Sequence, residues 1–405
     1  MRKVFFWLHL LAGVAAGIFI LIMCVTGVAL TYEKQINEWI DQRDLHWTRS
    51  QSAAPSPAEQ LLARVAQQKP GGSGLTFYSD PARPAQVSFG REALLFVDPA
   101  SGEVVGQRNP SALRNFLQAS EQWHRWLAMT GTSRGIGKAI MDAANLLFFG
   151  LTLSGLYLWF PRKWTWQHIR PALWFRGGLT GKARDWNWHN AIGFWILIPM
   201  VAIVGSGVVM SYSWASDLLF TLSGSQQTAG GPGRGNDGRP GRPKEDGRGP
   251  GSGIRQPVSW EGLNRAVSQT QSQFPNWRSI RVEGSPNPRL PITVNVEREN
   301  DVAPIYQASL TIDRATGDVQ KLSDFSTQNL GQKLRGLVRF THTGESLGFW
   351  GQTIAGIATA GGILMVYTGL ALSFRRWQNW RRRRSSPQQT PEQSSEPRKV
   401  AELVA

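Results

Sequence analysis

Four long apolar stretches decide what this chain can fold into. They read LHLLAGVAAGIFILIMCVTGVALTY, AIMDAANLLFFGLTLSGLYLWF, AIGFWILIPMVAIVGSGVVMSY and GFWGQTIAGIATAGGILMVYTGLAL. A hydrocarbon core about 30 Å thick is crossed by about 20 helical residues, and each stretch is long enough. The expected class is therefore a mainly α membrane protein with four transmembrane helices. The first stretch follows Arg2 and Lys3, as a signal peptide would. Its apolar run exceeds the usual signal core of about 7–15 residues and no A-x-A site follows, so it reads as a retained anchor.

The 405 residues carry a net charge of +16, which could suit nucleic acid. Position argues otherwise. Arg162, Lys163, Arg170, Arg176, Lys182 and Arg184 fill the loop between the second and third stretches, and Arg375, Arg376 and Arg381 to Arg384 follow the fourth. Short cytoplasmic loops accumulate Lys and Arg, so both termini and the middle loop are expected inside, and the two longer segments outside. No aromatic platform or nucleic-acid motif accompanies the charge, so the expected partner is the lipid bilayer and not nucleic acid. The single cysteine, Cys24, lies within the first stretch and reads as a small core residue. One cysteine permits no disulfide framework, no zinc cluster and no C-x-x-C-H attachment site, so any haem would be held non-covalently, as b-type haem.

The expected organisation is an N-terminus and first span over 1–35, an external α+β unit over 36–122, and a histidine segment with the second span over 123–162. A basic cytoplasmic loop over 163–187 and a third span over 188–216 follow. A second external unit covers 217–340, then a histidine segment with the fourth span over 341–376, and a tail over 377–405 expected to be disordered. In the first unit SPAEQLLARVAQQ reads as a helix capped by Ser56, while LTFYSD, AQVSFG and ALLFVDPASGEVVG read as strands. In the second, SWEGLNRAVSQTQ reads as helix, and PITVNVE and ASLTIDRATGDVQ as strands. The Gly-, Pro- and Arg-rich linker at about 224–256 lacks apolar anchors and is expected to be disordered.

The halves resemble each other. An offset of 180 carries His9 to His189, Gly13 to Gly193, Gly27 to Gly207 and Tyr32 to Tyr212. An offset of 215 matches DPASGEV with DRATGDV, 218 carries His124 to His342, and 214 carries Gly137, Gly155, Leu158 and Arg162 to Gly351, Gly369, Leu372 and Arg376. This predicts two tandem repeats of the same orientation, related by a pseudo-two-fold axis along the membrane normal.

The chain has only six histidines. The axis would bring His9 towards His189 on the cytoplasmic side, and His124 towards His342 on the external side. Two neutral imidazoles facing across an axis suit the axial positions of a planar iron porphyrin, with each remaining ring nitrogen needing an acceptor. Any one of these histidines alone could equally be an interfacial polar residue; it is the two symmetry-related pairs that favour ligation. His46 and His168 have no repeat partner and read as surface residues. Trp123 and Trp126 could pack a haem edge. Arg125, Arg134, Lys138, Arg335 and Arg339 could pair with propionates or draw an anionic substrate, and could equally be solvated charges. Gly13, Gly17, Gly193, Gly205 and Gly207 would permit close approach of helices or a macrocycle. Asp142 and Asn145 are costly in lipid and should face the bundle interior. GSGV and LSGLYLWFPR read as helix-packing and boundary signals.

HLLAGVAAGIFILIMCVTGVAL, QWHRWLAMTG…TLSGLYLWFPRKW, WNWHNAIGFW…GSGVVM and FTHTGESLG…YTGLAL together resemble the PepSY-associated transmembrane helix family, which includes bacterial iron-regulated inner-membrane proteins and ferrisiderophore reductases. The resemblance covers nearly the whole chain. It implies two small PepSY-like periplasmic units, two haem b groups ligated by His9, His124, His189 and His342, and one-electron transfer to ferric chelates at the bacterial inner membrane. Arg125 and Arg339 are the expected additional haem contacts. The long linker departs from the family pattern. No dinucleotide- or flavin-binding segment is evident, so the electron donor is expected to be a separate cytoplasmic or membrane component. The alternatives are a non-enzymatic module whose external units restrain a peptidase or envelope partner, and a quinol-linked cytochrome b.

Overall fold

The computed structural model describes residues 1–45, 47, 55–90, 93–161, 165–225, 258–301 and 303–385. His46, Arg162, Lys163, the linker from 226 to 257 and the tail from 386 lie outside the described residues.

In chain order the elements are α1 (Arg2–Leu30), α2 (Glu33–Asp44), α3 (Ala58–Gln68), β1 (Gly74–Tyr78), β2 (Ala85–Phe89), β3 (Ala93–Val97), β4 (Val104–Gln107), α4 (Ala112–Trp126), α5 (Arg134–Trp159) and α6 (Trp166–Leu173). They continue with α7 (Gly181–Ser211), α8 (Ser213–Leu222), α9 (Leu263–Gln273), β5 (Trp277–Glu283), β6 (Ile292–Arg298), β7 (Ala308–Ile312), β8 (Val319–Ser323), α10 (Leu330–His342) and α11 (Gly348–Ser385). The fold is mainly helical, with four helices long and apolar enough to cross a membrane and one antiparallel sheet.

The four long helices close a ring: α1 packs on α5, α5 on α7, α7 on α11 and α11 on α1. Consequently α1 and α7 face each other diagonally. Both run towards the sheet, whereas α5 and α11 run away from it. The ring is tied at the sheet end by Tyr32 Oη to Thr353 Oγ1 at 2.6 Å and by Gln35 Nε2 donating to Gln352 Oε1 at 2.6 Å. At the far end Arg2 donates to the Leu158 carbonyl. In the seam Ala16, Ile20, Cys24 and Ala144 are buried together, and an added methyl group at Gly362 would strike the Cys24 sulfur at 2.8 Å. Asn145 is buried and donates to the Val204 carbonyl at 3.4 Å, so its polar group is turned from lipid, while Asp142 pairs with Lys138 at 2.5 Å.

Outside the ring the two α+β segments share a single sheet of order β4-β3-β2-β1-β5-β6-β7-β8. The join is the antiparallel β1–β5 pair, with Leu75 opposite Val282. The sequence reading missed β5: its alternation places only Ile280 and Val282 in the core, between Arg278, Arg281 and Glu283. Helices α3 and α9 cover one face and bury Leu61, Val65, Leu263 and Ala266 against Leu75, Val87, Val294 and Leu310. They also exchange terminal hydrogen bonds, Glu59 N to Asn264 Oδ1 at 3.0 Å and Asn264 N to Glu59 Oε1 at 3.2 Å. That exchange satisfies amide donors that a helix start leaves open. Ser56 does not cap α3 as expected; its hydroxyl donates to the Ala100 carbonyl at 2.5 Å instead. Residues 377–385, read from sequence as the start of a tail, continue α11. Their Arg side chains stack one turn back on Trp377 and Trp380, at 5.6 and 4.2 Å, and place positive charge at the helix C-terminus.

Leu75 is fully buried where the two halves of the sheet meet. Leu75→Ala should cost about 2–5 kcal/mol, read as a lowered denaturant midpoint and faster proteolysis within 74–97. An unchanged midpoint would mean that the β1–β5 join does not support the sheet.

Candidate functional site: two facing histidine pairs

The structure brings together the residues that the repeat pairs. His9 on α1 and His189 on α7 face each other with ring centroids 6.5 Å apart and planes at 87°. His124, in the last turn of α4, and His342, the last residue of α10, face each other at 6.3 Å and 64°. The first pair lies at the end of the ring far from the sheet and the second at the sheet end.

The direction each ring faces is set by its Nδ1. His9 Nδ1 is 2.9 Å from Ser154 Oγ, His189 Nδ1 is 2.9 Å from Thr368 Oγ1, and His124 Nδ1 is 2.9 Å from Thr26 Oγ1. Each of these hydroxyls already donates its only proton to a carbonyl one turn earlier: Ser154 to Gly150 at 2.7 Å, Thr368 to Leu364 at 2.8 Å, and Thr26 to Ile22 at 2.6 Å. A hydroxyl has one proton to give, so each must accept from the imidazole. His342 Nδ1 donates directly to the Ile203 carbonyl at 2.9 Å, with Ser206 Oγ at 3.4 Å. This network assigns the Nδ1–H tautomer to all four rings, which leaves each Nε2 lone pair free.

These acceptors went unread in the sequence, although a signal existed. Each sits in a hydroxyl–glycine dipeptide: Thr26-Gly27, Ser154-Gly155, Ser206-Gly207 and Thr368-Gly369. At three of them the glycine lies beside the histidine ring. A Cβ at Gly27, Gly155 or Gly369 would sit in van der Waals contact with Cε1 of His124, His9 or His189, at 3.4 Å. Gly207 instead accommodates Asn145. Of the glycines singled out from sequence, Gly17 packs on Leu370 and Gly205 on Phe149, so they serve helix contacts.

Short helices carry the sheet-end pair. Helix α4 starts on Ser111, whose Oγ accepts from Arg114 N at 3.2 Å, and α10 starts on a capping box between Asn329 and Gln332. After His124 the chain reverses through Leu127 and Ala128, both left-handed with φ of 53° and 55°. Such conformations cost about 1–3 kcal/mol each and persist where the surroundings enforce them. Here Ala128 N donates to Gln122 O at 3.0 Å and Met129 N to Trp126 O at 2.9 Å, and the Arg134 guanidinium lies 3.7 Å over the buried Trp126 ring. Trp123 is exposed. Arg125 pairs with Glu121 at 2.9 Å and lies 4.3 Å from the Trp126 ring centre, and the Arg339 guanidinium lies 5.5 Å from that of Phe340.

The pairs fit an iron porphyrin. A metal–imidazole bond of about 2.0 Å, with the ring centroid about 1.1 Å behind its nitrogen, puts two axial imidazoles about 6.2 Å apart centre to centre. The observed 6.5 and 6.3 Å match that span, and rotation of a ring about the iron–nitrogen axis allows any angle between the planes. The outward Nδ1–H bonds are the supports that metal-bound imidazoles require. Among the described residues no cluster of three or more His, Cys, Asp or Glu could hold a bare metal ion. Residues 9 and 26 of α1, like 189 and 206 of α7, are separated by about 25 Å of helix, so the two pairs stand near opposite sides of the apolar layer.

The family model of the PepSY-associated TM region matches residues 6–376. The chain belongs to that family. No curated protein matches it.

Thr26→Val and Thr368→Val keep shape but remove the acceptor. Each should weaken haem retention at its own pair about 10–100-fold, measured by haem transfer to a scavenger protein. Wild-type retention in both variants would show that the hydroxyls do not support the ligands.

Proposed function

We propose that this PepSY-associated membrane protein is a di-haem b reductase of the bacterial inner membrane, passing electrons from the cytoplasmic side to ferric chelates such as ferrisiderophores in the periplasm. The observation that carries the reading is the pair of imidazole couples, each spaced for one iron porphyrin and each with its Nδ1 protons committed elsewhere. Haem, when bound, supplies one-electron redox chemistry at both sides of the apolar layer.

The chain's own residues do the rest. His9 and His189 would hold the inner group, His124 and His342 the outer one. Ser154, Thr368, Thr26 and the Ile203 carbonyl lock the ring tautomers, so no proton has to leave an imidazole for a ligand bond to form. Buried Ile20, Cys24, Met200 and Val204 fill the middle of the ring and exclude water and ions. The Lys and Arg bias places both termini and α6 in the cytoplasm, and therefore the sheet in the periplasm. The two halves act as tandem repeats about an axis along the membrane normal, with the sheet as a joined pair of PepSY-like units. Reduction of the substrate Fe(III) weakens its hold by hard oxygen donors and releases Fe(II) for uptake. The electron donor is a separate cytoplasmic or membrane reductant.

Oriented vesicles test the reading, with reductant on the side of the termini, a ferric hydroxamate on the other, and an Fe(II)-trapping dye beside the chelate. Wild-type protein should reduce the chelate, and His9→Ala and His342→Ala should each fall to the level of protein-free vesicles. Unimpaired reduction in both variants would exclude the proposed function.

A further inference from the structure

Arginines with unpartnered buried nitrogens stand at each histidine pair. Among the described residues, Arg335 Nε, Arg375 Nε, Trp159 Nε1 and Ser216 Oγ are four of six buried side-chain atoms with no hydrogen-bond partner, the others being Arg114 Nε and Asp185 Oδ2. A buried donor left unsatisfied costs about 1–3 kcal/mol, and more when charged, so each of these groups asks what accepts from it.

Their positions are not scattered. Arg335 lies seven residues before His342 on α10, and seven residues return to the same helix face. Arg375 lies seven residues after Thr368, the acceptor for His189, on the same face of α11. Trp159 lies one turn beyond Gly155, on which the His9 ring rests, and it stacks on Phe194 at 4.8 Å. In both arginines the rise of two turns, about 10.5 Å, leads away from the apolar middle. That is the scale of a porphyrin's reach from its iron to its propionate carboxylates.

The surroundings sharpen the point. Helix α10 runs antiparallel to the α7–α8 segment, anchored by Gly331 N to Ser225 Oγ at 3.0 Å at one end and by His342 to Ile203 at the other. At the first anchor Phe220 of α8 also lies against Gly331. One turn along each helix from that contact brings Ser216 level with Arg335. Two unpartnered buried donors thus share a level. Burial, and then neighbouring Arg339, hold the Arg335 guanidinium below its usual range, as expected of an uncompensated cation. Arg375 is held from one side only: its Nη2 is 3.3 Å from the fully buried Asp185, which also binds Arg184 at 2.8 Å, and its Nε remains open.

We propose that Arg335, with Ser216, receives a propionate carboxylate of the outer haem, and that Arg375, with Trp159, receives one of the inner haem. This rests on the di-haem reading and names the residues that fix each macrocycle about its iron–histidine axis. Both arginines belong to the second repeat alone, since residues 117 and 161, the counterparts of 335 and 375, are Leu117 and Pro161. Each haem would meet a propionate-binding arginine from the second half of the chain only, which would give it a single orientation.

The test is spectroscopic redox titration of the purified full-length holoprotein, with His342→Ala identifying the outer component. Arg335→Gln should shift the outer haem to lower potential, leave the inner haem unmoved, and speed loss of the outer haem about tenfold, as expected for one charge-assisted hydrogen bond. Arg375→Gln should do the same to the inner haem only. Arg335→Lys should restore most of the outer potential. In the wild-type chain, which avoids any folding defect of a variant, reconstitution with haem dimethyl ester should speed loss of the outer haem about as much as Arg335→Gln does, and Arg335→Gln should then speed it no further. Wild-type potentials in both glutamine variants would overturn the inference while leaving the di-haem reading intact. So would faster loss of the ester haem to which Arg335→Gln still adds its full effect, because the arginine would then be serving another anion. Protein that binds no haem at all would overturn the di-haem reading itself.

Discussion

Everything at the two histidine pairs depends on a hydroxyl that has already spent its proton. Within a membrane helix a Ser or Thr can satisfy itself by donating to the carbonyl one turn back, which leaves oxygen lone pairs as the only thing it can offer a neighbour. Thr26, Ser154 and Thr368 are in that state, and the imidazoles of His124, His9 and His189 must donate to them. His342 reaches the same condition through the Ile203 carbonyl. Tautomer and orientation therefore follow from ordinary helix hydrogen bonding, before any ligand is present.

The fold supplies the rest of that constraint. A ring of four helices sets α1 and α7 on a diagonal, and their histidines meet across it. Sheet and bundle are linked through the second pair, because the helices that bring His124 and His342 down are direct continuations of the sheet segments. Asp41 on α2 holds Arg114 of α4 at 2.6 Å and also binds Arg108, just beyond β4. Movement of the sheet relative to the bundle would thus be felt at His124.

Much of the site was legible in the sequence because histidine is rare and its four relevant copies fall at repeat-related positions. The spans were legible from length and hydropathy alone. The hydroxyl–glycine dipeptides repeat just as plainly, yet within a span they look like helix-packing signals, and only the three-dimensional meeting of Thr26 with His124 gives them a role. Strand β5 escaped because two core residues among charges make a weak alternation. The union of the halves into one sheet escaped for a different reason: β1 and β5 meet through backbone hydrogen bonds, and the strand partner of a given residue leaves no mark in composition. Helices α4 and α10 were hidden by polar faces that now carry the site's arginines.

The most direct measurement of the central claim is the haem content and ligation of the purified chain, by pyridine haemochrome assay together with low-temperature electron paramagnetic resonance of the ferric form. The proposed function predicts two low-spin haems per chain. One should be lost when either His9 or His189 is replaced by Ala, and the other when either His124 or His342 is. A colourless, folded protein from haem-replete cells would contradict the account, and so would loss of the same haem from His9→Ala and His124→Ala.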